Sequence, residues 1–123
     1  MTPLPPDELG RRFIRSLAVA GGTHTADDIL SAVDSGKMQV WGQGGTVVVT
    51  ELIAFPQFNV IQIVTAFGAL DDVMALSPAI EQFGRENGAS QMRMIGRKGW
   101  LKVLPNHGWQ QDKRVLFVKD LEV

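Results

Sequence analysis

Apolar residues recur at helical spacing between Asp7 and Ala20, with Leu9, Phe13, Ile14 and Leu17 on one stripe, which predicts a first helix. The proline-rich residues 1–6 before it read as a loose N-terminal arm. Gly21-Gly22 stops the helix. Thr25-Ala26-Asp27-Asp28 then has the form of a capping box with a shortened carboxylate, which predicts a second helix buried through Ile29, Leu30 and Val33 and ended at Gly36.

The period then changes from helical to extended. Met38 to Trp41 predicts a short strand and Gly42-Gln43-Gly44-Gly45 a turn. Thr46 to Ala54 is β-branched and apolar on both alternations, so it predicts a central strand covered on both faces. Phe55-Pro56-Gln57 is a short break, and Phe58 to Thr65 returns as its antiparallel neighbour. Ala66 to Ala69 reads as a loop. A helix follows from about Leu70 to Asn87, with an interruption expected at Ser77-Pro78. Gln91 to Ile95 is a strand reached through a helix, so a parallel right-handed crossover is expected. Gly96 to Leu104 predicts a short helix stopped by Pro105. Trp109 to Leu121 predicts one or two final strands, chiefly Val115-Leu116-Phe117-Val118. The order implies one α/β (α+β) domain over residues 1–123, a mixed sheet with helices on both faces.

Composition narrows the chemistry. With 123 residues, 45% hydrophobic and 20% charged, the chain has the make-up of an ordinary globular domain. It has no cysteine and two histidines, which excludes thiol catalysis and disulfide scaffolds and argues against a protein-built metal site. No apolar run suits a membrane helix, and Met1 to Glu8 lacks the basic-then-apolar order of a signal peptide, so a cytoplasmic protein is the expectation. Residues 1–84 hold four basic and nine acidic side chains, and residues 85–119 hold eight basic and two acidic. The basic third either faces phosphate, nucleic acid or an acidic partner, or complements the acidic half within one fold. The balanced total disfavours a nucleic-acid binder.

The element order, together with Gly99-Trp100-Leu101-Lys102-Val103-Leu104-Pro105-Asn106-His107-Gly108-Trp109, resembles the GCN5-related N-acetyltransferase (GNAT) family. That family's late helix typically ends in a tyrosine, three variable residues and Gly-Phe, and Gly108-Trp109 fills the Gly-aromatic place. Gly21-Gly22-Thr23-His24-Thr25, Met38-Gln39-Val40-Trp41, Val48-Val49-Thr50-Glu51 and Gly96-Arg97-Lys98-Gly99-Trp100 further resemble small GNAT-like proteins of phages and prophages. The resemblance covers roughly residues 20–121. It implies acetyl-CoA or another acyl-CoA as cofactor, no metal, and acyl transfer to an amine.

The resemblance assigns the pyrophosphate to the backbone of Ala66, Phe67, Gly68, Ala69 and Leu70 at the next helix's N-terminus. Active members carry Gln/Arg-x-x-Gly-x-Gly/Ala there. Here the loop Thr65 to Leu70 has Gly68 as its single glycine, and Asp71-Asp72 follow that loop at once, where they suit the helix dipole and repel an anion. Leu104 stands where the family often has its tyrosine acid, and the chain has no tyrosine. Glu51 is the candidate general base. In a hairpin centred on Pro56-Gln57 it falls opposite Gln62, on the face of Val47, Val49 and Ile53, where it is either a proton acceptor or a structural hydrogen-bonding partner.

Trp41, beside a glycine-rich turn, is either a core edge or a ligand platform. Arg97, Lys98 and Trp100 are a basic–aromatic cluster at an expected helix start, where cations oppose the dipole, which marks them as candidate contacts. Thr23-His24-Thr25 reads as a capping turn and His107 as an exposed turn residue. Two functions follow. One is an acyl-CoA-dependent N-acyltransferase with Glu51 as base. The other is a non-catalytic scaffold binding phage virion or assembly proteins through Trp41, the Arg97-Lys98-Trp100 cluster or an exposed sheet edge, which would make it virion-associated. Whether the chain forms a homo-oligomer is left open.

Overall fold

The computed structural model describes residues 6–96 and 98–121. Helices α1 (Pro6–Val19) and α2 (Ala26–Asp34) lead into strands β1 (Met38–Gln43), β2 (Thr46–Ala54) and β3 (Asn59–Phe67). Helix α3 (Leu70–Glu86) crosses to β4 (Ala89–Met94), and two 3-10 turns, Lys98–Lys102 and Leu104–His107, follow. The sheet order is β1-β2-β3-β4, antiparallel except for the parallel β3–β4 pair, so the mixed α/β sheet and the crossover are as expected.

The two apolar faces of β2 meet two separate cores. Val48 packs with Ile61, Ile63, Val73 and Ile80 under α3. Val49, one residue on, faces the other way and packs with Leu17, Ile29 and Met38 under α1 and α2. Close packing of α3 is secured at Gly84, where an added Cβ would lie 3.0 Å from Ile61 Cγ2.

Helix α2 starts on the anticipated capping box. The Asp28 N–H donates to Thr25 Oγ1 at 3.2 Å, and the Thr25 N–H donates to Asp28 Oδ2 at 2.8 Å. The bond from the Thr25 backbone, then that from its side chain, holds the Asp28 carboxyl below its ordinary value. A group with a lowered folded value stabilises the fold fully above its unfolded value. That contribution fades as the pH falls through the folded one. Urea denaturation should therefore separate Asp28→Ala from the parent at neutral pH, and the gap should close in acid below the ordinary carboxylate range.

Four expectations need correction. Helix α3 runs unbroken through Pro78, because Val73 on one side and Ile80 on the other are both buried against the sheet, and Ser77 donates forward to Glu81 Oε2 at 2.8 Å instead of starting a new helix. β3 continues through Ala66 and Phe67, so the expected loop shrinks to Gly68-Ala69. Among the described residues of Gly96 to Leu104 there is no α-helix. Two 3-10 turns stand in its place, and Pro105 lies in the first turn of the second. Trp109 to Leu121 pairs with no strand among the described residues. Residues 1–5 of the expected arm lie outside the described residues, and Pro6 opens α1.

No helix among the described residues is long and apolar enough to cross a membrane.

Candidate functional site

The parallel pair β3–β4 is registered from Asn59↔Ala89 to Ile63↔Met94, and there β4 ends. β3 continues for four more residues, Val64 to Phe67, held on its other side by β2 as far as Val47↔Phe67. A register shift opposite Val49/Thr50 makes Val64 the extra residue of a bulge, which adds twist where the two parallel strands part. The result is a fork at the carboxyl end of the parallel strands, where open sheets bind ligands. Inside the fork, among the described residues, the β3 backbone is paired on one side only. The Phe67 side chain turns away, buried edge-to-face on Phe13 at 6.2 Å. Ala66 points the other way, into the core under α3. The strand thus offers backbone, not side chains, to whatever lies in the fork.

The turn from β3 into α3 closes the base of the fork. Gly68 has φ +121°, and a Cβ there would lie 2.1 Å from Thr46 Oγ1 and 2.6 Å from Thr46 Cα. Thr46 itself is buried and donates to Asp72 Oδ2 at 3.3 Å. Glycine is thus demanded by the close approach of β2, and one of the two acids after the turn is tied back to the sheet. Ala69 caps α3 in an extended conformation with no side-chain hydrogen bond. The N–H groups of Asp72 and Val73 turn back to the Ala69 carbonyl, which leaves those of Leu70 and Asp71 aimed past the helix end.

Glu51 lies one strand over. Its register partners are Met38 on β1 and, as the hairpin reading anticipates, Gln62 on β3. Gln62 in turn pairs with Arg93. Glu51, Gln62 and Arg93 therefore form a polar row across the face shared with α1 and α2, one residue short of the fork. All three are half-buried. The Arg93 guanidinium is drawn to the hairpin, 5.4 Å from the ring centres of both Phe55 and Phe58.

The remaining candidates are placed apart from this row. Trp41 is on the opposite face, edge-to-face with Phe83 at 5.7 Å, and its Nε1–H donates to Thr50 Oγ1 at 3.0 Å. Thr50 passes the bond to Gln39 Oε1 at 2.9 Å. Trp100 is half-buried in the first 3-10 turn, where a Cβ on Gly96 would come 3.4 Å from its ring and 3.9 Å from Leu104. Lys98 begins the first 3-10 turn, and Arg97 lies outside the described residues. His24 Nδ1 is 2.8 Å from Thr23 Oγ1 in the turn before α2. Among the described residues, no three His, Asp or Glu side chains are grouped to hold a metal. Sequence reasoning missed Thr46 and Arg93. Thr46 opens a strand like any β-branched residue, and its role exists only because Gly68 arrives beside it.

No protein-family model matches the chain, and no curated protein matches it in sequence. Solved structures do match in fold. A predicted acetyltransferase from Clostridium acetobutylicum, solved with acetyl-CoA, superposes with a TM-score of 0.65 at 12% identity over 92% of this chain and 88% of that one. Glucosamine-6-phosphate N-acetyltransferase from Arabidopsis thaliana gives 0.60 at 11% over 98% and 96%. TTHA1254 from Thermus thermophilus gives 0.61 at 15% over 98% and 96%. At such identities the likeness shows the fold alone, and the fold is GNAT-like.

Proposed function

We propose that the chain is an acyl-CoA-dependent N-acyltransferase whose cofactor lies in the fork between β3 and β4. The observation that carries this reading is the one-sided backbone of Val64 to Phe67 beyond the last β3–β4 pair, Ile63↔Met94. An extended chain with amide groups, such as a pantetheine arm, can complete that backbone as a strand would. The pyrophosphate falls at Gly68 to Asp71, where the uncapped first turn of α3 supplies N–H donors. Asp72 is engaged by Thr46, which leaves Asp71 as the exposed carboxylate at that end. Bound acyl-CoA supplies the thioester acyl group. Glu51, directly or through a water, accepts the proton of the attacking amine. Leu104, which opens the second 3-10 turn, has no proton to give, so a water would have to protonate the leaving thiolate.

Calorimetric titration with acetyl-CoA and with free CoA tests the reading. Micromolar binding of both is expected. No binding at millimolar ligand would contradict it.

A second reading, the GNAT-like fold as a non-catalytic scaffold for phage virion or assembly proteins, is favoured by the apolar Leu104 in the proton donor's place. It is distinguished by partner binding with no acyl transfer to any amine.

A further inference from the structure

We propose that the acyl acceptor is a small amine that also carries an anionic group, a carboxylate or a phosphate, with its nitrogen at Glu51 and its anion on Arg93. The proposal rests on the acyltransferase reading for the fate of the amine, and not for its binding.

The place is an open shelf of the sheet. Helices α1 and α2 cover this face at the fork end, through Val47, Val49 and Val64. Toward the β2–β3 hairpin, Ile53 and Val60 take no part in that core. Side chains alternate along a strand, so Glu51, Ile53 and Phe55 share the face with Gln62, Val60 and Phe58. The rings at the tip stand in water, Phe55 43% and Phe58 39% exposed. The row of Glu51, Gln62 and Arg93 crosses the sheet where the helical cover ends.

Arg93 is set up to receive an anion. Its guanidinium lies 5.4 Å from both ring centres and its Nε–H donates to Gln91 Oε1, which together fix its plane. Its terminal N–H groups meet no acceptor among the described residues, and no acid there forms an ion pair with it. Asp112 is within reach of its field, but Arg114 holds that carboxylate, at 2.9 Å from Oδ1 and 2.6 Å from Oδ2. Those bonds first, and the charge of Arg93 only weakly, keep the Asp112 carboxyl below its ordinary range. A half-buried cation without a counter-charge is costly. A guanidinium edge with free parallel N–H groups matches two oxygens of a carboxylate or phosphate. Access is open on the outer side as well. Arg93 also lines a cleft of about 1360 Å³ along β4, with Met94, Trp100 and the chain from Gln110 to Leu116.

The spacing sets the size of the ligand. Neighbouring strands are about 4.8 Å apart, so Glu51 on β2 and Arg93 on β4 are about 10 Å apart at the backbone. Extended peptide covers about 3.3–3.6 Å per residue, so about three residues span that gap. Gln62, between the two charges, offers an amide to the middle of such a ligand. Opposite charges at the two ends fix its direction. The ammonium is drawn to Glu51 and the anion to Arg93, which brings the nitrogen and not the tail to the side of the fork.

NMR titration of the full chain without acyl-CoA tests this. The probes are triglycine and aminohexyl phosphate, each beside its neutral counterpart, triglycine amide and aminohexanol. Each anionic probe is expected to bind at least about tenfold tighter than its counterpart, the weight of one charge-assisted contact. Shifts are expected at the Arg93 Nε–H and the Glu51 amide. Arg93→Met keeps the apolar stem over the rings, so it should erase the difference and leave the melting temperature and the binding of the neutral probes unchanged. Arg93→Lys should keep part of the preference. Four results would overturn the proposal: equal affinity within each pair; a preference that survives Arg93→Met; binding that shifts Arg93 and not Glu51; or no saturable shift from either anionic probe at millimolar concentration. None of these depends on the cofactor. A chain that binds acetyl-CoA and shows no such preference loses this proposal alone, and a chain that shows the preference and binds no acetyl-CoA loses the acyltransferase reading alone.

Discussion

Gly68→Ala is expected to cost about 2–6 kcal/mol, from a strained backbone worth about 1–3 and overpacking worth about 1–3 more. The methyl group would lie 2.1 Å from Thr46 Oγ1, at a backbone angle that L residues rarely adopt. Trimming the neighbour does not repair the damage, because Thr46 Cα is itself only 2.6 Å from the new Cβ. Gly68→Ala combined with Thr46→Ala should therefore stay destabilised, with the added loss of the hydroxyl bond to Asp72. Urea denaturation measures both. A Gly68→Ala variant within about 0.5 kcal/mol of the parent would contradict this, since a loss that small is ordinary for surface changes. One consequence is practical. Loss of CoA binding in a Gly68 variant reports the lost turn as much as any phosphate contact, so Gly68 is a poor probe of the cofactor.

Glu51→Gln is expected to lower the rate of acyl transfer about 10²–10⁴-fold, the range for removal of a general base. Glutamine keeps the length and planarity of the side chain in its half-buried row opposite Gln62, so the melting temperature should hardly move. The diagnostic is the split between the two readouts. A fall in kcat with unchanged acetyl-CoA affinity and stability supports a proton acceptor. Unchanged kcat, or a fall matched by lost stability, assigns Glu51 to structure.

The parts of the fold legible in the chain are those set by local chemistry. The Thr25 capping box, the two-faced strand at Val47-Val48-Val49 and the short break at Pro56-Gln57 each act through neighbours in sequence. The break alone placed Glu51 opposite Gln62. What was not legible depends on distant contacts. Pro78 reads as a helix start until buried Val73 and Ile80 hold both halves of α3 to the sheet. Ala66 and Phe67 read as a loop because alanine and a following glycine carry no strand signal. They are in β3 because β2 still pairs with them through Val48 and Val47. The final segment shows the opposite error. Val115 to Val118 has all the local features of a strand, but pairing needs an edge, and the chain leaves that edge across the cleft. The site was legible as a set of consecutive residues from Ala66 to Leu70 and not as a shape. The fork comes from where β4 stops, at Met94, and no residue in the Val64–Phe67 stretch announces it.

The central claim is that the fork beyond Ile63↔Met94 receives acyl-CoA. Backbone amide chemical shifts followed by NMR during titration with acetyl-CoA test it most directly. The account predicts saturable shifts concentrated at Val64 to Phe67 and at Gly68 to Asp71, with small ones at the Val115–Val118 segment. Absence of shifts at millimolar acetyl-CoA, or shifts confined to the cleft beside β4 and Trp100, would contradict it.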